Sequence, residues 1–159
     1  LGLEVFEIKD KEKYQLNKDF WISPYISHIG INHDSALLVV TEEFKFFNQN
    51  DCKIFDRLDE INESIDYYSV QFSGATWHPS NFILSDKRKK EISKQKVNNK
   101  LNSVLRGIVN LKPKYFLPAA GPAIFPYLDD ELSFGIDNIF IHHNVLNSFL
   151  KRNNVNNIL

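Results

Sequence analysis

Apolar and polar positions change period several times along this chain. Leu3, Val5, Phe6 and Ile8 are set among glutamates and read as a strand over 3–8, and the aromatic and β-branched run at 20–26 reads as a second. The polar segment 9–18 between them reads as a turn or hairpin connection. Ala36-Leu37-Leu38-Val39-Val40 and the run 44–48 read as a hairpin closed by Glu42-Glu43. Leu58, Ile61 and Ile65 repeat at helical spacing after Asp56. Residues 67–72, largely aromatic and apolar, read as a strand covered on both faces. Ser85 then caps a long helix whose stripe is Ile92, Val97, Leu101, Val104, Leu105, Ile108 and Leu111, stopped by Pro113. Residues 115–117 form a further strand, 127–137 have no clear period, and a last helix opens near Asn144. A long helix between two buried strands is a βαβ signature. The pattern predicts an α/β fold, a mixed sheet with flanking helices.

Composition bounds this picture without sharpening it. At 159 residues the chain can build one core. Hydrophobic residues make up 43 % and charged residues 25 %, the balance of a globular domain, and thirteen phenylalanines predict an aromatic core. The net charge of −1 supplies no general attraction to nucleic acid, and no apolar run reaches membrane-spanning length. Cytoplasmic residence is expected, since the single cysteine excludes an internal disulfide and suits a reducing compartment. The chain has no methionine and opens inside a strand-like run, so it is expected to be an interior piece of a longer protein.

Candidate chemistry clusters after the strands. His28 precedes one strand and Asp51 ends the next, which can bring an imidazole and a carboxylate to one sheet edge. Each also has a plainer reading, a hydrogen-bonded histidine and a turn-capping aspartate. His78 lies in the loop Ser73-Gly74-Ala75-Thr76-Trp77-His78-Pro79 and suits either a proton carrier or a surface position. Ser73-Gly74-Ala75 can offer backbone N–H groups to an anion or simply turn tightly. His142-His143 reads as a solvated pair at a helix entry, too distant in sequence to join the other motifs. Lys87-Arg88-Lys89-Lys90 reads as a solvated helix face.

Three segments taken together carry a family resemblance: Asn32-His33-Asp34-Ser35 with Asn50-Asp51-Cys52; Phe72-Ser73-Gly74-Ala75 with Trp77 and Pro79; and Leu117-Pro118-Ala119-Ala120-Gly121-Pro122. In order and spacing they resemble the second half of the metallo-β-lactamase-fold domain of CMP-N-acetylneuraminate hydroxylase-like proteins. The resemblance implies a four-layer αββα sandwich, with residues 1–126 as its C-terminal half and 127–159 as an extension carrying a helix. It implies a metal-dependent hydrolase, with Asp51 and His28 or His33 as ligands to Zn, Mn or Fe and His78 as catalytic proton carrier. Ala119 and Ala120 stand where the family's late histidine would fall, which leaves one metal or none. The implied partners are the missing N-terminal half and an anionic small molecule or nucleotide sugar. In that family the domain shares a chain with a Rieske iron–sulfur domain, whose ligands are not visible here. The alternative is a non-catalytic binding domain on the same fold with a degenerate metal site.

Overall fold

A computed structural model describes residues 2, 4–29, 34–74, 76–124, 127 and 139–159. Among them six strands form one sheet in sequence order: β1 (Tyr14–Asn17), β2 (Phe20–Ile26), β3 (Ser35–Val40), β4 (Lys45–Asn50), β5 (Tyr67–Gln71) and β6 (Tyr115–Ala119). The first four are antiparallel, and β4, β5 and β6 are parallel. The helices are α1 (Asp86–Leu111) and α2 (His143–Arg152), and a single 3-10 turn lies at Leu58–Glu60. The fold is therefore mixed α/β. The four-layer sandwich is not established by these residues, which contain one sheet and its helices.

Local chemistry accounts for most boundaries. Thr41 closes the β3–β4 hairpin: its Oγ1 accepts from the N–H groups of Glu43 and Phe44, at 3.2 and 3.1 Å. Ser85 Oγ accepts from Arg88 N–H and starts α1. Lys112 ends it in the left-handed conformation (φ 47°), just before Pro113. Two expectations fail for tertiary reasons. Residues 4–8 belong to no strand, while Tyr14–Asn17, read as a connection, pairs with β2. The period at 58, 61 and 65 makes only the 3-10 turn, although Leu58, Ile61 and Ile65 are all buried. Their burial follows from the chain crossing over the sheet from β4 to β5.

The core lies between one sheet face and α1. Phe47, Tyr68, Val70 and Phe116 meet Val104 and Ile108, and α2 adds Leu146 and Leu150. Gly107 allows the helix to close on the sheet: a Cβ there would lie 2.3 Å from the Tyr68 hydroxyl oxygen. That hydroxyl donates to Gln49 Oε1 at 2.6 Å, and Gln49 Nε2 donates to the Cys52 carbonyl at 2.8 Å. A buried polar chain thus ties the end of β4 to β5.

The amino-terminal edge of the parallel strands is pinned by Asp66. Its carboxylate accepts from Lys45 N–H at 2.7 Å and pairs with Lys114. The loops that leave the carboxyl edge line a cavity.

Candidate functional site

A cavity of about 800 Å³ lies at the carboxyl ends of β4 and β5. This is where open α/β sheets bind ligands, since the loops leaving parallel strands part there. The sheet contributes Val70 and Gln71, followed by Ser73 and Gly74. One side of α1 contributes Lys96, the adjacent Asn99 and Lys100, Ser103 and Arg106, which recur at helical spacing. Asn50, Asp51, Lys53 and Asp56 come from the crossover after β4. Asn50 adopts φ 47° where the β4–β5 register shifts, a bulge that ends the strand and turns the chain at Asp51.

Among the described residues the lining charges are unbalanced. Lys53, Lys96, Lys100 and Arg106 face Asp51 and Asp56. Lys96 is occupied structurally: its Nζ donates to the His78 carbonyl at 2.9 Å and lies 3.2 Å from His78 Nδ1. Lys100 Nζ donates to Gln71 Oε1 at 3.2 Å. Burial lowers the Lys100 pKa by opposing its charge, and Asp51 pulls the other way. Within the described residues Lys53, Lys100 and Arg106 make no ion pair.

The residues singled out from the sequence separate. Asp51 lines the cavity; His28 is not among its lining residues. His28 is exposed, with Nε2 3.9 Å from Asp10 Oδ2. Asp10 is itself held by Arg57, at 2.8 Å, and accepts from Ile26 N–H at 2.7 Å. His33 lies outside the described residues. His78 is held by Lys96, with its ring edge-on to Phe82 at 4.8 Å, and is not among the lining residues either.

Gly74 does not form a nest: its N–H donates to the Ile139 carbonyl at 3.3 Å, and a Cβ would lie 2.9 Å from that oxygen. His143 does begin a helix, but it also returns to the motif loops. Its ring meets Phe72 at 4.8 Å, and a Cβ on Gly121 would lie 3.2 Å from it. In the run 87–90, Lys87, Arg88 and Lys90 are exposed, as the helix-face reading requires, while Lys89 is half-buried and donates to the Ser80 carbonyl at 3.3 Å.

Sequence reasoning missed the α1 cations and the side-chain hydroxyl of Ser73, having offered only the backbone of 73–75 to an anion. The signal was present in the positions 96, 99–100, 103 and 106, which repeat at helical spacing beside the apolar stripe. Without knowing what lies opposite, they read as a solvated face.

No protein-family model matches the chain. It is similar to a protein of Mycobacterium tuberculosis provisionally named a Rieske 2Fe-2S iron-sulfur protein, in strains CDC 1551 and H37Rv. The identity is 32 % over 132 residues, covering 76 % of this chain and 25 % of the relative. A Mycolicibacterium smegmatis protein with the same provisional name is 31 % identical over 102 residues, covering 62 % of this chain and 19 % of the relative. The chain thus spans about a quarter or less of the curated relatives it matches. These relatives overturn the metallo-β-lactamase hydrolase expected from the motifs, and with it the divalent Zn, Mn or Fe cofactor. Their names specify an iron–sulfur cluster instead. Among the described residues no group of three His, Cys, Asp or Glu side chains is placed to hold a metal ion.

A Rieske cluster needs two cysteines and two histidines, and this sequence has one cysteine. Cys52 is buried, with Sγ 4.0 Å from the Tyr25 carbonyl, and burial pushes its thiol up to about 11. The residues present do not fit the cluster. No described helix is long and apolar enough to cross a membrane.

Proposed function

We propose that this chain is the ligand-binding segment of a larger Rieske-type iron–sulfur protein. It presents a cleft for an anionic small molecule, and the cluster is ligated by other parts of the polypeptide. The observation that carries this reading is the cation-lined cavity at the carboxyl edge of the parallel strands, in a chain with a single, buried cysteine. A cavity of about 800 Å³ is the size of a metabolite site. Similarity over a quarter of a Rieske-named relative supports a companion role more than the role of cluster domain. In this role the segment binds and orients, and electron transfer belongs to the cluster.

The test is iron, acid-labile sulfide and the reduced-state EPR signal of the full-length protein, with and without Cys52→Ser. The expected result is a 2Fe-2S signal that is the same in both. A protein without cluster, or a folded Cys52→Ser variant that loses it, would refute the proposal.

A further inference from the structure

Two features of the cavity are incomplete without a ligand. Ser73 is 1 % exposed and lines it, and its Oγ has no hydrogen-bond partner among the described residues. A buried hydroxyl in that state is costly, and native proteins rarely leave one so. Lys100 is the second: it is partly desolvated, with one of its three donors spent on Gln71 and no ion pair to a carboxylate among the described residues. Lys53 and Arg106 line the same cavity, also without ion pairs among the described residues.

Both deficits call for the same chemistry. An oxyanion brings acceptor oxygens to Ser73 and negative charge to Lys100, and it neutralises a cation already drawn partly out of water. A cation would meet four basic side chains against two carboxylates and leave Lys100 without a counter-charge, and an apolar ligand would leave both deficits in place. A serine Oγ moves between staggered wells by a single χ1 step, so it can turn to a ligand oxygen on its side of the cavity. Asp51, Asp56 and Asn99 then line the cavity as partners for hydroxyl groups, which carboxylates and amides accept readily.

We infer that the cavity binds a hydroxylated small molecule through an oxyanion group, phosphate or carboxylate, received by Ser73 and Lys100 with Lys53 and Arg106 beside them. The inference rests on the binding role proposed above and names its ligand class. Asp51 is the hydroxyl side of the site and is not a metal ligand in this scheme.

The test is calorimetric titration of the full-length protein with inorganic phosphate and, separately, with glucuronate. The variants are Ser73→Ala, Lys100→Gln, Lys100→Arg and, in the β1–β2 turn, Lys18→Gln as control. At least one probe should bind saturably at millimolar concentration or below, and which one does so distinguishes a phosphate from a carboxylate site. Lys100→Gln should weaken binding at least tenfold, Lys100→Arg less, and Lys18→Gln not at all. Ser73→Ala should weaken it several-fold, while the ligand-free protein melts at the same or a higher temperature because an unsatisfied hydroxyl has gone. Absence of saturable binding by both probes overturns the inference, as does binding indifferent to both Ser73→Ala and Lys100→Gln, or a lowered ligand-free melt in Ser73→Ala. Iron measured on the same samples keeps the readings apart: lost cluster with intact binding counts against the Rieske association alone, and lost binding with intact cluster against this site alone.

Discussion

Replacing Gly107 by alanine should expose how tightly α1 is keyed to the sheet. The added Cβ would stand 2.3 Å from the Tyr68 hydroxyl oxygen and 2.9 Å from two ring carbons. Tyr68 cannot step aside cheaply. Its ring stacks on Phe47 at 6.1 Å and leans on Phe116 at 5.9 Å, and its hydroxyl is committed to Gln49. Overpacking of this kind costs about 3 kcal/mol, the upper part of the usual range. Alanine recovers about 1 kcal/mol of helix propensity over glycine. The clash wins, leaving a net loss of about 2 kcal/mol, or roughly 4–8 °C in Tm for a chain this long. Tyr68→Phe alone should cost about 1–3 kcal/mol, because Gln49 Oε1 is left buried without its donor. In the double variant the nearest clashing atom is gone, so the combined loss should fall short of the sum by about 1 kcal/mol or more. Urea titrations followed by tryptophan fluorescence give all four corners of the cycle. A Gly107→Ala variant within about 0.5 kcal/mol of the parent, or strict additivity, would refute the packing argument.

Further outcomes follow from other parts of the fold. Arg57, then Lys11, hydrogen-bond the Glu60 carboxylate and hold it at about 2, below its ordinary 4.5. A lowered folded-state value stabilises the fold above about 4.5, and the benefit is lost as the pH falls towards about 2. Glu60→Gln should therefore flatten the acid side of a Tm-against-pH curve, and an unchanged slope would count against the Arg57 cluster. The Cys52 thiol, buried and raised to about 11, should resist a disulfide reagent at neutral pH until the protein unfolds; rapid labelling of the native protein would contradict its position. Lys112 holds a left-handed φ of 47°, so Lys112→Gly should stabilise by about 0.5–1 kcal/mol in a denaturant titration; a loss would mean that the lysine side chain itself contributes.

The three short motifs marked one edge of the sheet and misled on chemistry. Asn50-Asp51, Ser73-Gly74 and Ala120-Gly121 all lie at or just beyond the carboxyl ends of parallel strands. Any α/β sheet needs turn-forming residues there, whatever it binds. The motifs therefore located the edge that holds the cavity, and Asp51 lines it. The ligands proposed around them came with the resemblance, and the relatives point to a different cofactor.

The sequence by itself determined the elements whose signals are local. The limits of α1 follow from Ser85, a stripe of seven apolar positions and Pro113; the β3–β4 hairpin follows from two apolar runs four residues apart; and a single cysteine excludes a Rieske ligand set within these 159 residues. Tertiary structure alone decided which polar side chains became a site. Lys100 reads as solvated until β5 places Gln71 against it, and Ser73 reads as a turn residue until burial leaves its hydroxyl unpartnered. It also decided that residues 14–17 pair with β2 while 4–8 do not, and that His28 faces Asp10. Periodicity describes a segment's own faces, whereas burial and partnership depend on what the rest of the chain brings opposite.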